Sequence, residues 1–442
     1  MSRGTKNREC NRSRRPAQRR LHVEALESRE LLAGNVLASV DAAGNLRIAG
    51  DNAANSLSII QSGHNSYLLV GQGTTINGQA NRNLTGVRGR VDIDLRGGND
   101  ILTFSGELPD GSFSPKFAGS FSVRGGAGSD ALTLTNFEAS GAVLVDGGGG
   151  TDTLDITAAQ GDDIVLRTSQ GNDAIAATGL AAADLIQIET GAGNDAISLS
   201  DSTARRVSVN AGLGNDIVTI ADTQIVDSLL VVGNDSSGLA SGGRGDTTTG
   251  EGGRNGKPTG TDRSAGTSGG GRTGGTGGGG STPAPVTDAD EVSITNITAA
   301  SATIITGGDV DEVDLVDLDV VGALLVLTGD GDDDLALSNS TAANLSIDLG
   351  AGNDLALLAN LVVGDRVDLN AGTGNDVVTI ANLAADELFA ILGSGNDRLT
   401  ASGSVALTTR ARLDGGSGND VLIGNASITS PLKLLSGLET VV

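Results

Sequence analysis

The chain of 442 residues is acidic, with a formal net charge of −25, and it contains 68 glycines, six phenylalanines, one tyrosine and no tryptophan. Alanine, valine, leucine and isoleucine must therefore fill its interior, which disfavours a bulky globular core. A single cysteine excludes a disulfide framework and a site built from several thiolates. No apolar run reaches the roughly 18 residues of a transmembrane helix, so no transmembrane segment is predicted.

The chain begins with a basic leader, residues 1–34, that we predict to be disordered. The leader holds nine of the 29 Lys and Arg residues and four of the 54 Asp and Glu residues, so residues 35–442 carry 20 bases against 50 acids. Such a surface repels nucleic acid and attracts cations. We therefore predict divalent cations, and no nucleic acid, as partners.

The end of the leader reads LHVEALESRELLAG. Its acidic and basic residues interrupt the apolar run that an ordinary signal peptide needs, which leaves a plain basic tail as one interpretation. The segment also resembles the N-terminal LEPR-XLL motif of planctomycete proteins that are exported or surface-associated. Serine replaces the proline of that motif, and the matching residues are Leu26, Glu27, Arg29, Leu31 and Leu32. The resemblance implies an extracellular or cell-surface location.

A glycine-rich turn ending in aspartate recurs through the rest of the chain, typically as G-x-G-N-D followed by alternating apolar residues. Asp130, Asp152, Asp173, Asp195 and Asp216 are spaced by 21 or 22 residues, and Asp311, Asp333, Asp354, Asp376, Asp397 and Asp420 by 21 to 23. Such periods mark stacked supersecondary units. The sequence predicts an all-β chain, a parallel β-solenoid of about 15 coils of 21–22 residues, with residues 35–99 as irregular starting coils.

A glycine-rich segment, residues 236–287, interrupts the repeats. It has 19 glycines in 52 residues and almost no large apolar side chain, which predicts a disordered insertion. Asp290 lies 21 residues before Asp311, so the repeat resumes in phase after the insertion. We expect residues 35–235 and 288–442 to form one continuous solenoid, with two separate domains as the alternative.

Three turns, GGAGSDALT, GGGGTDTLD and GGSGNDVLI, match the nonapeptide G-G-x-G-x-D-x-U-x at every defined position. They resemble RTX (hemolysin-type) repeats, although only one copy occurs per coil, and the resemblance implies Ca²⁺ bound between turns. Stacked carboxylates about 4.8 Å apart repel one another, which also favours a bound cation. The alternative is that Asn and Asp only cap solvated turns. The candidate metal ligands are Asp100, Asp130, Asp152, Asp173, Asp195, Asp216, Asp311, Asp333, Asp354, Asp376, Asp397 and Asp420.

The sequence offers no catalytic residues, so the first functional hypothesis is a non-enzymatic extracellular structural or adhesive protein that binds Ca²⁺ and components of the cell envelope or matrix. A polysaccharide lyase or hydrolase on a β-helix is a second hypothesis, disfavoured because so few aromatic residues are present to stack on sugars. An RTX-like secreted passenger protein is a third.

Overall fold

The computed structural model describes residues 34–107, 116–234 and 289–442. These residues form an all-β parallel solenoid, which confirms the predicted fold class. The solenoid has about 12 turns, so the predicted 15 was too high. The excess comes from residues 35–99, whose strands pair largely antiparallel and do not complete regular coils.

The irregular N-terminal part contains strands β1 to β6, and β7 to β9 pair in parallel with the regular coils that follow. Strand β1 pairs antiparallel with β2, β3 with β4, and β4 with β6. Strands β2 and β3 also pair in parallel with β7 and β8, and this joins the irregular part to the regular coils. The strands are β1 Asn35–Val40, β2 Leu46–Ala49, β3 Ser56–Gly63, β4 Ser66–Gly71, β5 Thr75–Ile76, β6 Asn81–Thr85, β7 Val91–Asp94, β8 Ile101–Ser105 and β9 Lys116–Phe117.

Regular coils follow, and each strand pairs in parallel with its equivalent 21 to 23 residues later. Before the glycine-rich segment the strands are β10 Phe121–Ala127, β11 Ala131–Ala139, β12 Val143–Gly149, β13 Thr153–Arg167, β14 Ala174–Thr178, β15 Ala181–Ala192, β16 Ala196–Ser200, β17 Thr203–Leu213, β18 Ile217–Ala221 and β19 Gln224–Asn234. After it they are β20 Glu291–Ala299, β21 Ser301–Gly308, β22 Glu312–Asp330, β23 Asp334–Ser338, β24 Thr341–Asp348, β25 Leu355–Asn370, β26 Val377–Ile391, β27 Ser394–Gly395, β28 Arg398–Asp414, β29 Ser417–Gly418, β30 Val421–Ile423, β31 Ile428–Thr429, β32 Leu432–Ser436 and β33 Thr440–Val441. A short 3₁₀ helix spans Asn425–Ser427.

A coil consists of a short strand, a corner, a longer bent strand and the glycine turn. In one coil, β16 runs to Ser200, Asp201 forms the corner with φ of 51°, and β17 leads to the turn. Alternate residues such as Ile197 and Leu199 point inward and are buried. The period of two along each strand therefore places one row of Val, Leu, Ile or Ala inside every coil.

The glycines of the turn allow successive coils to approach closely. Gly150 has φ of 130°, and a Cβ atom at this position would lie 2.2 Å from the carbonyl oxygen of Gly128 in the preceding coil. Neighbouring Gly149 does not have positive φ, and a Cβ there would meet nothing within 4 Å. Of these two glycines, only Gly150, which has the positive φ, is therefore required sterically.

The strands on either side of residues 235–288 pair directly with each other. Strand β18 aligns in parallel with β20, with Ile217 opposite Glu291 and Ala221 opposite Thr295. This pairing has the same register as that between other adjacent coils. The disorder predicted for residues 236–287 and for the leader concerns residues outside those that the structure describes, and the predicted domain division stays a prediction.

Five aromatic side chains are buried together in the first coils. Tyr67, Phe104, Phe117, Phe121 and Phe137 pack with neighbouring ring centroids 4.2 to 6.2 Å apart. Each is at most 1% exposed. These rings belong to the core of the solenoid, and they are not available to stack on a sugar.

Candidate functional site: a buried aspartate ladder

The turn aspartates line up in one row along the solenoid, but their side chains point inward. All twelve candidate metal ligands are 0 to 2% exposed. Parallel stacking in register explains the alignment, because each turn sits directly on the equivalent turn of its neighbour. The sequence predicted the row and did not reveal the burial.

Each turn aspartate joins two coils through its side chain. The Oδ1 atom accepts a hydrogen bond from the backbone N–H of the equivalent residue in the preceding coil, at 2.6 to 3.0 Å. At one rung, Asp376 accepts from Asp354 at 3.0 Å, and the carbonyl oxygen of Asp354 accepts from the N–H of Val377 at 2.8 Å. Backbone and side chain together therefore satisfy the buried backbone N–H and C=O groups of Asp354.

The ladder has three members that the sequence did not single out as site residues. Asp290 accepts from the N–H of Asp216 at 3.0 Å and donates its own N–H to Asp311 at 2.8 Å, although residues 235–288 separate its coil from the preceding one in sequence. At one end of the ladder, the N–H of Asn55 donates to Asp100. At the other, the Oε2 atom of Glu439 accepts from the N–H of Asp420 at 2.6 Å. The spacing of Asp290 could have indicated its role, whereas Glu439 lies outside the turn motif.

Asparagine and aspartate of the G-x-G-N-D turn reach in opposite directions. The Oδ1 atom of Asn353 accepts from the backbone N–H of Asn375 in the following coil at 2.9 Å, and Asn375 accepts from Asn396 in the same way. Aspartate side chains instead reach back to the preceding coil. The two adjacent residues thus bind neighbours on both sides, which explains why an amide and a carboxylate recur together in that order.

Burial raises the pKa values of several ladder carboxyls. It raises the pKa of Asp130 and Asp152 to about 6, against the opposing effect of the N–H bond that each accepts. Burial, with smaller contributions from the charges of Asp376, Asp333 and Asp332, raises the pKa of Asp354 to about 7. The Oδ2 atom of each of these three carboxyls is buried and has no hydrogen-bond partner among the described residues. Burial without a partner for one oxygen disfavours the ionised carboxylate, which is the direction of the pKa shift in all three residues.

The residue five positions before each aspartate faces this carboxyl. A Cβ atom on Gly125 would lie 2.4 Å from the Oδ2 atom of Asp130, so the position points directly at it. In four coils the position holds a threonine, namely Thr168, Thr190, Thr306 or Thr328. The hydroxyl hydrogen bonds of Thr190 and Thr328 lower the pKa of the facing Asp195 and Asp333, against the larger, raising effect of burial. Glycine, alanine and leucine at this position offer no such hydrogen bond.

The same threonines bind the next coil. Thr190 donates its hydroxyl proton to the carbonyl oxygen of Ala211 at 2.6 Å, and Thr328 to that of Leu349 at 2.9 Å. A hydroxyl has one proton, so it can serve either this carbonyl or the aspartate at a given moment. A bond from the hydroxyl proton to the ionised aspartate would therefore replace its bond to the next coil.

Within the described ranges, no group of three or more Asp, Glu, His or Cys side chains is arranged to hold a metal ion. A calcium ion at a turn would compete with the backbone N–H groups for the Oδ1 atoms. Calcium binding at the twelve aspartates stays a prediction. The described residues also include no helix of the length and apolarity that a bilayer span requires.

A second cluster, on the outside of the solenoid, forms by stacking of three coils. The guanidinium carbon of Arg366 lies 3.9 Å from the ring centroid of Phe389, and that of Arg410 lies 4.7 Å from it. Both arginines also form ion pairs, Arg366 with Asp368 and Arg410 with Glu387. Arg366, Phe389 and Arg410 are more than 20 residues apart in the chain, so no local sequence pattern indicates this cluster.

Comparison of the chain with protein-family models, with curated proteins and with solved structures found no match.

Proposed function

We propose that this protein is a non-enzymatic structural or adhesive rod at the cell surface or in the extracellular matrix. The observation that carries the proposal is the aspartate ladder, in which every member from Asp100 to Asp420 holds one coil to the next. These bonds keep successive coils in a fixed arrangement over the length of the stack, which is what a structural protein requires. An enzyme would instead need polar side chains that converge on a substrate.

The surface charge and the leader support the location and the partners. The solenoid region carries 50 acids against 20 bases, a balance that favours cations and positively charged envelope or matrix components over nucleic acid. The resemblance of the leader to the LEPR-XLL motif supports export to the cell surface. Calcium belongs to this proposal as the cation implied by the RTX-like turns.

Surface display can be tested on intact cells that express the chain with an epitope tag. Protease added to the intact cells should remove the tag from the full-length protein, and deletion of residues 1–34 should protect it. Purified solenoid should sediment with isolated cell envelopes. A tag that stays protected in the full-length protein, together with no binding to envelopes, would overturn the proposal.

Calcium requires its own measurement. Calcium that binds only the folded state stabilises it by mass action, so millimolar Ca²⁺ should raise the Tm, and a chelator should reverse the rise. Replacing Asp376 and Asp397 together by Asn should weaken that response if the ion sits at the turns. If the Tm of this variant rises as much as that of the original chain, calcium binds at exposed acidic residues instead of at the turns. If Ca²⁺ does not raise the Tm of the original chain, the protein does not bind calcium.

A polysaccharide-active enzyme is the second candidate, and the cluster around Phe389 is the observation that favours it. Two arginines and one ring form a surface that an anionic sugar could contact. Purified protein should be incubated with acidic polysaccharides, and newly formed reducing ends or unsaturated products should be measured. We expect none; products that disappear in the Phe389→Ala variant would favour the enzyme.

A further inference from the structure

One outer surface of the solenoid is flat and carries exposed apolar side chains. It consists of the first, third and fifth residues after each turn aspartate, and we call it the flat face. Its apolar part contains Leu355, Leu357 and Val377, which are 44, 42 and 38% exposed. Their strands lie next to each other in register, with Leu355 opposite Val377. Small residues, Ala359 and Ala381, occupy the fifth position of the same two strands.

Opposite charges flank this apolar patch along the stack. Asp334 lies in the coil before Leu355 and Arg398 in the coil after Val377, all in one continuous row. Both charged side chains are exposed, and neither forms an ion pair with any residue that the structure describes. The row therefore reads acid, leucine, valine, base from one coil to the next.

We propose that a second copy of this chain docks on the flat face, with the two solenoids antiparallel. A two-fold axis would run along the strands, midway between the strand of Leu355 and that of Val377. Such an axis reverses the order of the coils in the second copy but keeps each position along the strand. A residue therefore faces the same strand position of the second copy, in the coil that lies equally far on the other side of the axis. Leu355 then packs on Val377 of the second copy, and Asp334 faces Arg398 of the second copy.

The remaining rows are compatible with this arrangement. The acid of the next coil outward, Glu312, would face Val421, and Ala359 would face Ala381, so no like charges oppose each other on these strands. A parallel arrangement is less favourable, because each coil would face its own equivalent and Arg398 would lie opposite Ser402. The distribution of charge therefore selects the antiparallel arrangement.

The size of the contact predicts a weak dimer. Six coils, from Glu312 to Val421, overlap at about 4.8 Å per coil, and strands of five residues are about 17 Å long. The contact covers about 490 Å² per partner, below the roughly 800 Å² of a standard stable interface. The Leu355–Val377 contact and the Asp334–Arg398 ion pair each occur twice by symmetry, and together they should give a dimer that forms at micromolar or higher protein concentration.

Sedimentation equilibrium of the purified full-length chain, over about 1 to 300 µM, tests the proposal. We expect a reversible monomer–dimer equilibrium. Either Asp334→Arg or Arg398→Asp should weaken dimerisation at least tenfold, because each places like charges opposite one another, and the double variant should restore it. The matched control is Asp155→Arg, an exposed residue of the flat face that lies outside the six overlapping coils.

Circular dichroism should show that all four variants remain folded, since the substituted side chains are exposed. A chain that stays monomeric across the whole range would overturn the proposal, as would a dimer that ignores both single substitutions. A double variant that stays monomeric would overturn the proposed register. A monomer that binds envelope polysaccharide, and loses that binding in Leu357→Asp, would assign the flat face to a glycan instead.

Discussion

Lowering the pH should stabilise this solenoid over a range in which most proteins change little. A carboxyl whose pKa is higher in the folded state than in the unfolded chain favours folding when it is protonated. Its stabilising effect is complete below the unfolded pKa and is lost as the pH rises through the folded pKa. For Asp354 these limits are 3.8 and about 7. Stability should therefore increase as the pH falls from 8 to 5.

The magnitude follows from the size of the shift. Each pKa unit corresponds to about 1.4 kcal/mol, so Asp354 alone should contribute roughly 3 kcal/mol between pH 8 and pH 5. Asp354→Asn keeps the Oδ1 acceptor for the N–H of Asp333 and removes the buried charge. The variant should be more stable than the original chain at pH 8, and the difference should shrink to less than about 1 kcal/mol at pH 5.

Hydrogen exchange read by mass spectrometry gives a local measurement, since long repeat arrays need not unfold in one step. The protection of the peptide containing Asp333 should be compared at pH 5, 6, 7 and 8 in EDTA, after correction for intrinsic exchange rates. Asp365→Asn, at an exposed aspartate of the same strand, is the control and should change nothing. Equal effects of Asp354→Asn at both pH extremes, or greater stability at pH 8 than at pH 5, would refute the reasoning.

Three further pairs of substitutions test the contacts within and between coils. Gly150→Ala should lower the free energy of unfolding by more than about 2 kcal/mol, because its Cβ would overlap the Gly128 carbonyl at positive φ, whereas Gly149→Ala should be nearly neutral in urea unfolding. Ala158 has a φ of 53°, so Ala158→Gly should raise the free energy of unfolding in urea by about 1 kcal/mol, and Gly179→Ala at the equivalent corner should lower it; equal signs would contradict this. Glu439→Ala should speed hydrogen exchange at Asp420 about tenfold and Glu439→Gln should not, because the amide oxygen still accepts the N–H bond.

The repeat spacing was sufficient to predict the solenoid because each aspartate stands on its equivalent one coil away. The same spacing could not show which way the carboxylate points. The period of two along the strand places Asp376 in phase with inward residues such as Val378, but a charged side chain is ordinarily expected at the surface. The direction follows from glycine φ values and from the bond to the preceding coil, and both depend on contacts between coils.

Other features were hidden for related reasons. Asn360 and Asn382 form corners with φ values of 57 and 58°, and their side chains bond to each other across coils at 3.0 Å. An Asn, Asp or Gly six residues after the turn aspartate is a signal for such corners that a search for turn motifs overlooks. The antiparallel pairing of strands within residues 35–85 carries no periodic signature, so treating these residues as coils led to too many coils.

The hydrogen bonds of the ladder all run the same way, and this gives the molecule an order of assembly. Each backbone donor depends on a carboxylate that is synthesised later, usually 21 or 22 residues downstream. A polypeptide that emerges amino terminus first can complete a turn only when the next one has arrived. For Asp216 the acceptor lies 74 residues ahead. Folding during synthesis should therefore pause at that coil for more than three times the time needed to synthesise an ordinary coil. Chaperones or proteases would encounter the incomplete solenoid during this pause.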